Sequence, residues 1–149
     1  MPVDLMNTIE NQVTVRAPRS RVWKALTIPS ELGTWFRATF SARDFRVGET
    51  INGVSTYPGH EGKAFALEIV ELVPEQRFAW RWSPGKANAG DPPTTVTFEL
   101  EDVAGGTRIK VTETGFDHIA LERRAKAFES NTQGWKLQMQ NLHDYVESK

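Results

Sequence analysis

Residues 134–146 read Gly-Trp-Lys-Leu-Gln-Met-Gln-Asn-Leu-His-Asp-Tyr-Val. Trp135, Met139, Leu142, Tyr145 and Val146 recur here at helical spacing and share one apolar face. The helix is predicted from about Ser130, with Ala120 to Glu129 as a separate turn-rich or helical piece before it. Gly134 inside this run costs about 1 kcal/mol relative to Ala, which points to a close backbone approach or a kink there. A helix with so marked an apolar face needs a surface to cover, and the residues before it supply one.

Upstream, the period changes from helical to two. Thr8 to Val15 alternates, with Ile9, Asn11, Val13 and Val15 on one face. Phe65, Leu67 and Ile69 share a face that excludes Glu68 and Glu71, and Phe78, Trp80 and Trp82 alternate with Ala79 and Arg81. Val96, Phe98 and Leu100 repeat the pattern, and Ile109, Val111 and Glu113 do so after the Gly105-Gly106 turn. Ala38 to Phe45 alternates weakly, and Thr50 to Tyr57 reads as a strand ended by Pro58-Gly59. Between the first strand and these lie two short helical stretches. Val22, Trp23 and Leu26 mark one over Arg19 to Thr27, and Leu32, Trp35 and Phe36 mark another after Pro29. Ser83 to Pro93 is a Gly-, Pro- and Ala-rich loop, read as a surface loop or a lid. The order predicts an α+β fold: a curved antiparallel sheet of about six to seven strands, two short helices, and one long C-terminal helix across the concave face. A twisted sheet closing on a single helix is expected to leave a space where the two diverge.

The composition bounds what such a domain can do. Residues 1–149 suit a single domain, with its core over about 8–147. Eighteen basic and nineteen acidic residues give a formal charge of -1, which argues against nucleic acid or an acidic membrane as a partner. Cysteine is absent, so disulfides and thiolate metal sites are excluded. That absence, with no secretory signal near Met1 and no apolar run approaching roughly 20 residues, predicts a cytoplasmic protein. The basic residues Arg16, Arg19, Arg21 and Lys24 read as a solvated face.

The stretch VRAPRSRVWKALTIPSELGTWF (15–36), the TETGF (112–116) that ends the last strand, and the 134–146 helix together resemble the START-like helix-grip superfamily. Within it they look most like the branch named for homologues of the activator of heat-shock protein 90 ATPase. The resemblance implies the helix-grip fold. It also implies one of several roles: carriage of lipids, hormones or secondary metabolites, polyketide cyclisation, or service as a hydroxylase subunit. The eukaryotic activator engages its chaperone through a separate N-terminal domain, and no counterpart of that domain is expected within these residues.

The candidate site follows from strand parity and this resemblance. Phe65, Trp80, Trp82, Phe98, Trp135 and Met139 are expected to face the space between sheet and helix. With Trp35, Glu113 and Phe116 they form the expected ligand-binding set for a small apolar or aromatic molecule. Glu113 falls on the inward parity of its strand, so its carboxylate needs a partner: Arg37, His60 or a tryptophan N–H. It reads either as an ion pair at the strand end or, with His60, as a candidate for acid–base catalysis of cyclase type. No cofactor is expected. The three histidines, His60, His118 and His143, lack metal-ligand spacing, and four residues after His60 stands Ala64, where a zinc-protease motif needs a second histidine. A nucleophile elbow, a Walker loop and a dinucleotide-binding glycine fingerprint are also missing. A third reading is a module for a chaperone or other protein partner, and Val3, Leu5 and Met6 are candidates to dock a second chain in a homodimer.

Overall fold

The computed structural model describes residues 7–82 and 93–148. Seven strands form one antiparallel sheet: β1 (Thr8–Val15), β2 (Ala38–Phe40), β3 (Thr50–Ser55), β4 (Ala64–Val73), β5 (Arg77–Trp82), β6 (Thr94–Val103) and β7 (Gly106–Thr114). Their order across the sheet is β1-β7-β6-β5-β4-β3-β2. From β2 to β7 this is a meander of neighbours, and β1 closes it by pairing with β7 from Thr8↔Thr114 to Val15↔Thr107. Helices α1 (Arg19–Thr27) and α2 (Pro29–Phe36) bridge the two edges of the sheet. The long helix α3 (Leu121–Glu147) follows a single 3-10 turn at Phe116–His118.

Helix α3 is continuous over 27 residues. The sequence reading divides it near Ser130 because Glu122, Arg123, Arg124 and Lys126 interrupt any apolar stripe. Those residues are good helix formers, and propensity carries the helix through them. Strand β2 ends at Phe40, short of the expected Phe45, and Phe45 instead stacks on Phe78 with ring centroids 5.6 Å apart. In β4 the register slips between Ile69 and Glu71, which is a bulge at Val70. The extra residue explains how Glu68 and Glu71, an odd number of positions apart, both avoid the apolar face. The predicted loop at Ser83 to Pro93 lies outside the described residues except for Pro93, as do Val3, Leu5 and Met6.

The core lies between the concave face of the sheet and the three helices. Trp80, Phe78, Phe98, Ile109, Val111 and Met139 are fully buried there. Trp80 stands 5.4 Å from Phe98 and 5.5 Å from Phe78, centroid to centroid. Much of the space expected between sheet and helix is therefore filled by the aromatic side chains themselves.

The basic cluster near α1 does more than face solvent. Arg19 pairs with Asp102 and Arg16 with Glu147. Arg21 donates to Glu31 Oε1 at 2.7 Å, and the Tyr145 hydroxyl donates to the same oxygen at 2.7 Å, so α1, α2 and α3 meet at one carboxylate. Burial, together with the hydrogen bond to Glu31, raises the Tyr145 phenol above its ordinary value of 10.0. A group raised by folding stabilises the fold fully below its unfolded value and loses that contribution as pH climbs through the folded one. The protein should therefore lose stability above pH about 10, and Tyr145→Phe should flatten that part of a urea-midpoint-versus-pH curve.

Candidate functional site

The site is built where β5, β6 and β7 pass beneath the middle of α3. Register sets it out: Glu113 of β7 lies opposite Val96, and Thr94 of β6 lies opposite Trp82 of β5. Alternation then turns Glu113 inward with Val111 and Ile109, and all three are fully buried. The two carboxylate oxygens of Glu113 divide the surrounding donors. Oε1 accepts from Trp135 Nε1 at 2.7 Å and from Asn131 Nδ2 at 3.0 Å. Oε2 accepts from Trp82 Nε1 at 2.9 Å, Thr94 Oγ1 at 2.5 Å and Asn131 Nδ2 at 3.2 Å. An indole nitrogen can only donate, so each of the two oxygens accepts at least one hydrogen bond.

All of these donors are neutral. Of the partners the sequence leaves open for Glu113, the structure selects the tryptophan N–H, and it does so twice. Arg37 instead lies over the Tyr57 ring, 5.9 Å from its centroid. His60 sits exposed on the turn after β3, where its Nδ1 is 3.0 Å from Lys63 Nζ. Among the described residues no ion pair reaches Glu113. The strand-end ion pair is thus replaced by a buried carboxylate held by uncharged groups, which stabilise it only because every lone-pair direction is used.

Above this carboxylate a pocket of about 140 Å³ is lined by Phe36, Trp82, Asn131, Gly134, Trp135 and Gln138. The last four fall at i, i+3, i+4 and i+7 on α3, one helical face. Gly134 neither meets a neighbouring backbone nor marks a break in the helix. A Cβ built on it touches nothing within 4 Å. Its lack of a side chain leaves the pocket open. Gly134→Ala should raise the unfolding free energy by about 1 kcal/mol, the full helix-propensity gain, in a urea titration.

The expected ligand-binding residues separate into groups. Trp82 and Trp135 line the pocket and bond Glu113 from its wall. Phe65 is half-buried, with its centroid 6.3 Å from Trp82 and 6.4 Å from Phe36. Trp80, Phe98 and Met139 are core residues behind the pocket. Trp35 donates its indole N–H to the Ala25 carbonyl, and Phe116 packs on Phe128. Phe36, Asn131, Gly134 and Gln138 belong to the pocket but not to the sequence-derived set. A larger groove of about 300 Å³ runs between α2 and β2, lined by small residues and backbone such as Gly33, Ala38 and Ala42. It holds no titratable side chain, whereas the smaller pocket overlies a buried charge and two indoles, which marks the smaller one as the candidate site. Among the described residues no group of three or more His, Asp or Glu side chains is placed to hold a metal ion, and no helix is long and apolar enough to cross a membrane.

A curved meander gripping one long helix, with an indole-walled pocket at the seam, defines a helix-grip α+β domain. Residues 16–147 match the model of the family described as Activator of Hsp90 ATPase homolog 1-like protein. The chain belongs to that family. Protein CV1439 of Chromobacterium violaceum is similar at 25% identity and a TM-score of 0.75, over 95% of this chain and 97% of that one. Protein MLL2253 of Mesorhizobium loti shares the fold at 19% identity and a TM-score of 0.77, over 95% and 98% of the two chains. So does the Aha1 dimer of Colwellia psychrerythraea, at 21% identity and 0.73, over 94% and 96%. No curated protein matches the chain in sequence.

Proposed function

We propose that this protein binds a small apolar or aromatic molecule in the pocket walled by Phe36, Trp82 and Trp135. The observation that supports the reading is the position of the two indoles. Trp82 and Trp135 are pinned by their N–H groups to Glu113, so their rings are held in place at the pocket wall before any ligand arrives. Preorganised aromatic faces of this kind bind without the entropy cost of ordering them.

Turnover has less support. Proton transfer needs a titratable group within hydrogen-bond reach of substrate, and the oxygens of Glu113 are occupied by protein donors. His60, the other catalytic candidate, lies on an exposed turn away from the carboxylate's partners. A chaperone or other protein partner has the family membership as its sole support.

The test is calorimetric titration with p-cresol and 3,3-dimethylbutan-1-ol against the wild type and Gly134→Leu. The wild type should bind at least one of them with Kd of about 1 mM or tighter. Gly134→Leu, whose side chain grows into the pocket, should abolish binding while unfolding cooperatively as before. Absence of binding to the wild type, or binding unchanged in Gly134→Leu, would contradict the reading.

A further inference from the structure

We infer that the pocket selects a compact organic cation, an alkylammonium, over its neutral and anionic analogues. The inference rests on the small-molecule reading above and assigns the charge of the ligand.

Three observations carry it. First, the negative charge of Glu113 has no counter-ion. Its partners are two indoles, a hydroxyl and a carboxamide, and among the described residues no Lys, Arg or His bonds it or lines the pocket. In a water-poor site such a charge acts at longer range than at the surface. Second, the rings between Glu113 and the pocket are the right ones to transmit it. Trp82 and Trp135 line the pocket, with Phe36 beside them at centroid distances of 5.9 Å and 6.2 Å. Tryptophan is the strongest side-chain partner for a cation. Donation of each indole N–H to a carboxylate draws electron density back into the ring and strengthens that preference.

Third, among the described residues each side-chain nitrogen lining the pocket already donates a hydrogen bond within the protein. Both indoles and Asn131 Nδ2 donate to Glu113, and Gln138 Nε2 donates to the Phe36 carbonyl at 2.8 Å. The two indoles have no second N–H to offer, so a ligand that needs to receive hydrogen bonds is left with what the two carboxamides have to spare, and an anionic one finds no cation among the described residues. One that brings positive charge finds aromatic rings backed by the Glu113 carboxylate.

The experiment compares choline with 3,3-dimethylbutan-1-ol, which replaces the quaternary nitrogen by carbon at nearly constant shape, and with 3,3-dimethylbutanoate. Titrations use the full chain at low ionic strength and are followed by tryptophan fluorescence and calorimetry. Choline should bind about tenfold tighter than the alcohol, and the acid should bind most weakly. In Glu113→Gln that preference should shrink to near unity. Because that variant disturbs a buried network, Trp82→Leu serves as the second test, and it should weaken choline more than the alcohol. Equal binding of choline and the alcohol to the wild type overturns the cation inference and leaves the pocket reading standing. If neither these nor p-cresol binds, both fall together.

Discussion

Glu113→Ala should lower the unfolding free energy by about 4 kcal/mol, the largest loss from any polar substitution in the molecule. The carboxylate serves donors on three separate elements: Trp82 on β5, Thr94 on β6, and Asn131 and Trp135 on α3. Removing it strands them. Trp82 and Asn131 are only half-buried, and water reaches them after the change. Trp135 and Thr94 are buried and have no substitute acceptor. Each buried orphan costs about 1–3 kcal/mol, and relief from burying a charge offsets part of the sum. Glu113→Gln preserves shape and one acceptor oxygen, so it should cost about half as much. Urea unfolding measures this, with a lower midpoint at an unchanged slope. A double-mutant cycle with Trp135→Phe should be sub-additive, since both changes break the same bond. A loss below about 1 kcal/mol for Glu113→Ala would mean that the network contributes little to holding α3 on the sheet.

The second large effect belongs to Trp80. Its side chain is fully buried among Phe78, Phe98, Trp135 and Phe36, and Trp80→Ala should cost about 3–5 kcal/mol through the cavity it leaves. The informative comparison is with phenylalanine. Trp80 Nε1 is the one buried side-chain polar atom among the described residues without a hydrogen-bond partner. Trp135 Nε1, by contrast, reaches Glu113 at 2.7 Å. Trp80→Phe and Trp135→Phe remove similar volume, but the first discards an unpaired donor and the second breaks a bond to a carboxylate. Trp135→Phe should therefore be the more destabilising of the two by about 1–3 kcal/mol in parallel urea titrations. Equal losses would mean that volume alone governs both sites.

Much of this arrangement is legible in the sequence because strand parity is a strict code. Ile109, Val111 and Glu113 step by two, and nothing intervenes to shift their register, so the inward placement of Glu113 follows directly. The partners of Glu113 are harder to read. Trp82, Thr94, Asn131 and Trp135 converge from distant parts of the chain, and only the pairing of Trp82 with Thr94 across β5 and β6 brings two of them together. Asn131, Gly134 and Gln138 escape a reading that follows apolar residues alone, because the pocket interrupts the greasy face of α3 with polar and missing side chains. Their signal is positional: with Trp135 they occupy i, i+3, i+4 and i+7 of one helical face. The size of the pocket has no sequence signal, since it depends on how tightly Trp80, Phe98 and Met139 fill the space behind it.

A binding site at this seam requires Trp82 and Trp135 to hold Glu113 and line the pocket at once. The five tryptophans give five indole N–H resonances, a direct test by nitrogen–proton correlation spectroscopy during titration with choline and p-cresol. The Trp82 and Trp135 signals should move together and saturably, with those of Trp23, Trp35 and Trp80 nearly still. Movement confined to tryptophans away from the pocket, or no saturable movement at all, would contradict a binding site at this seam.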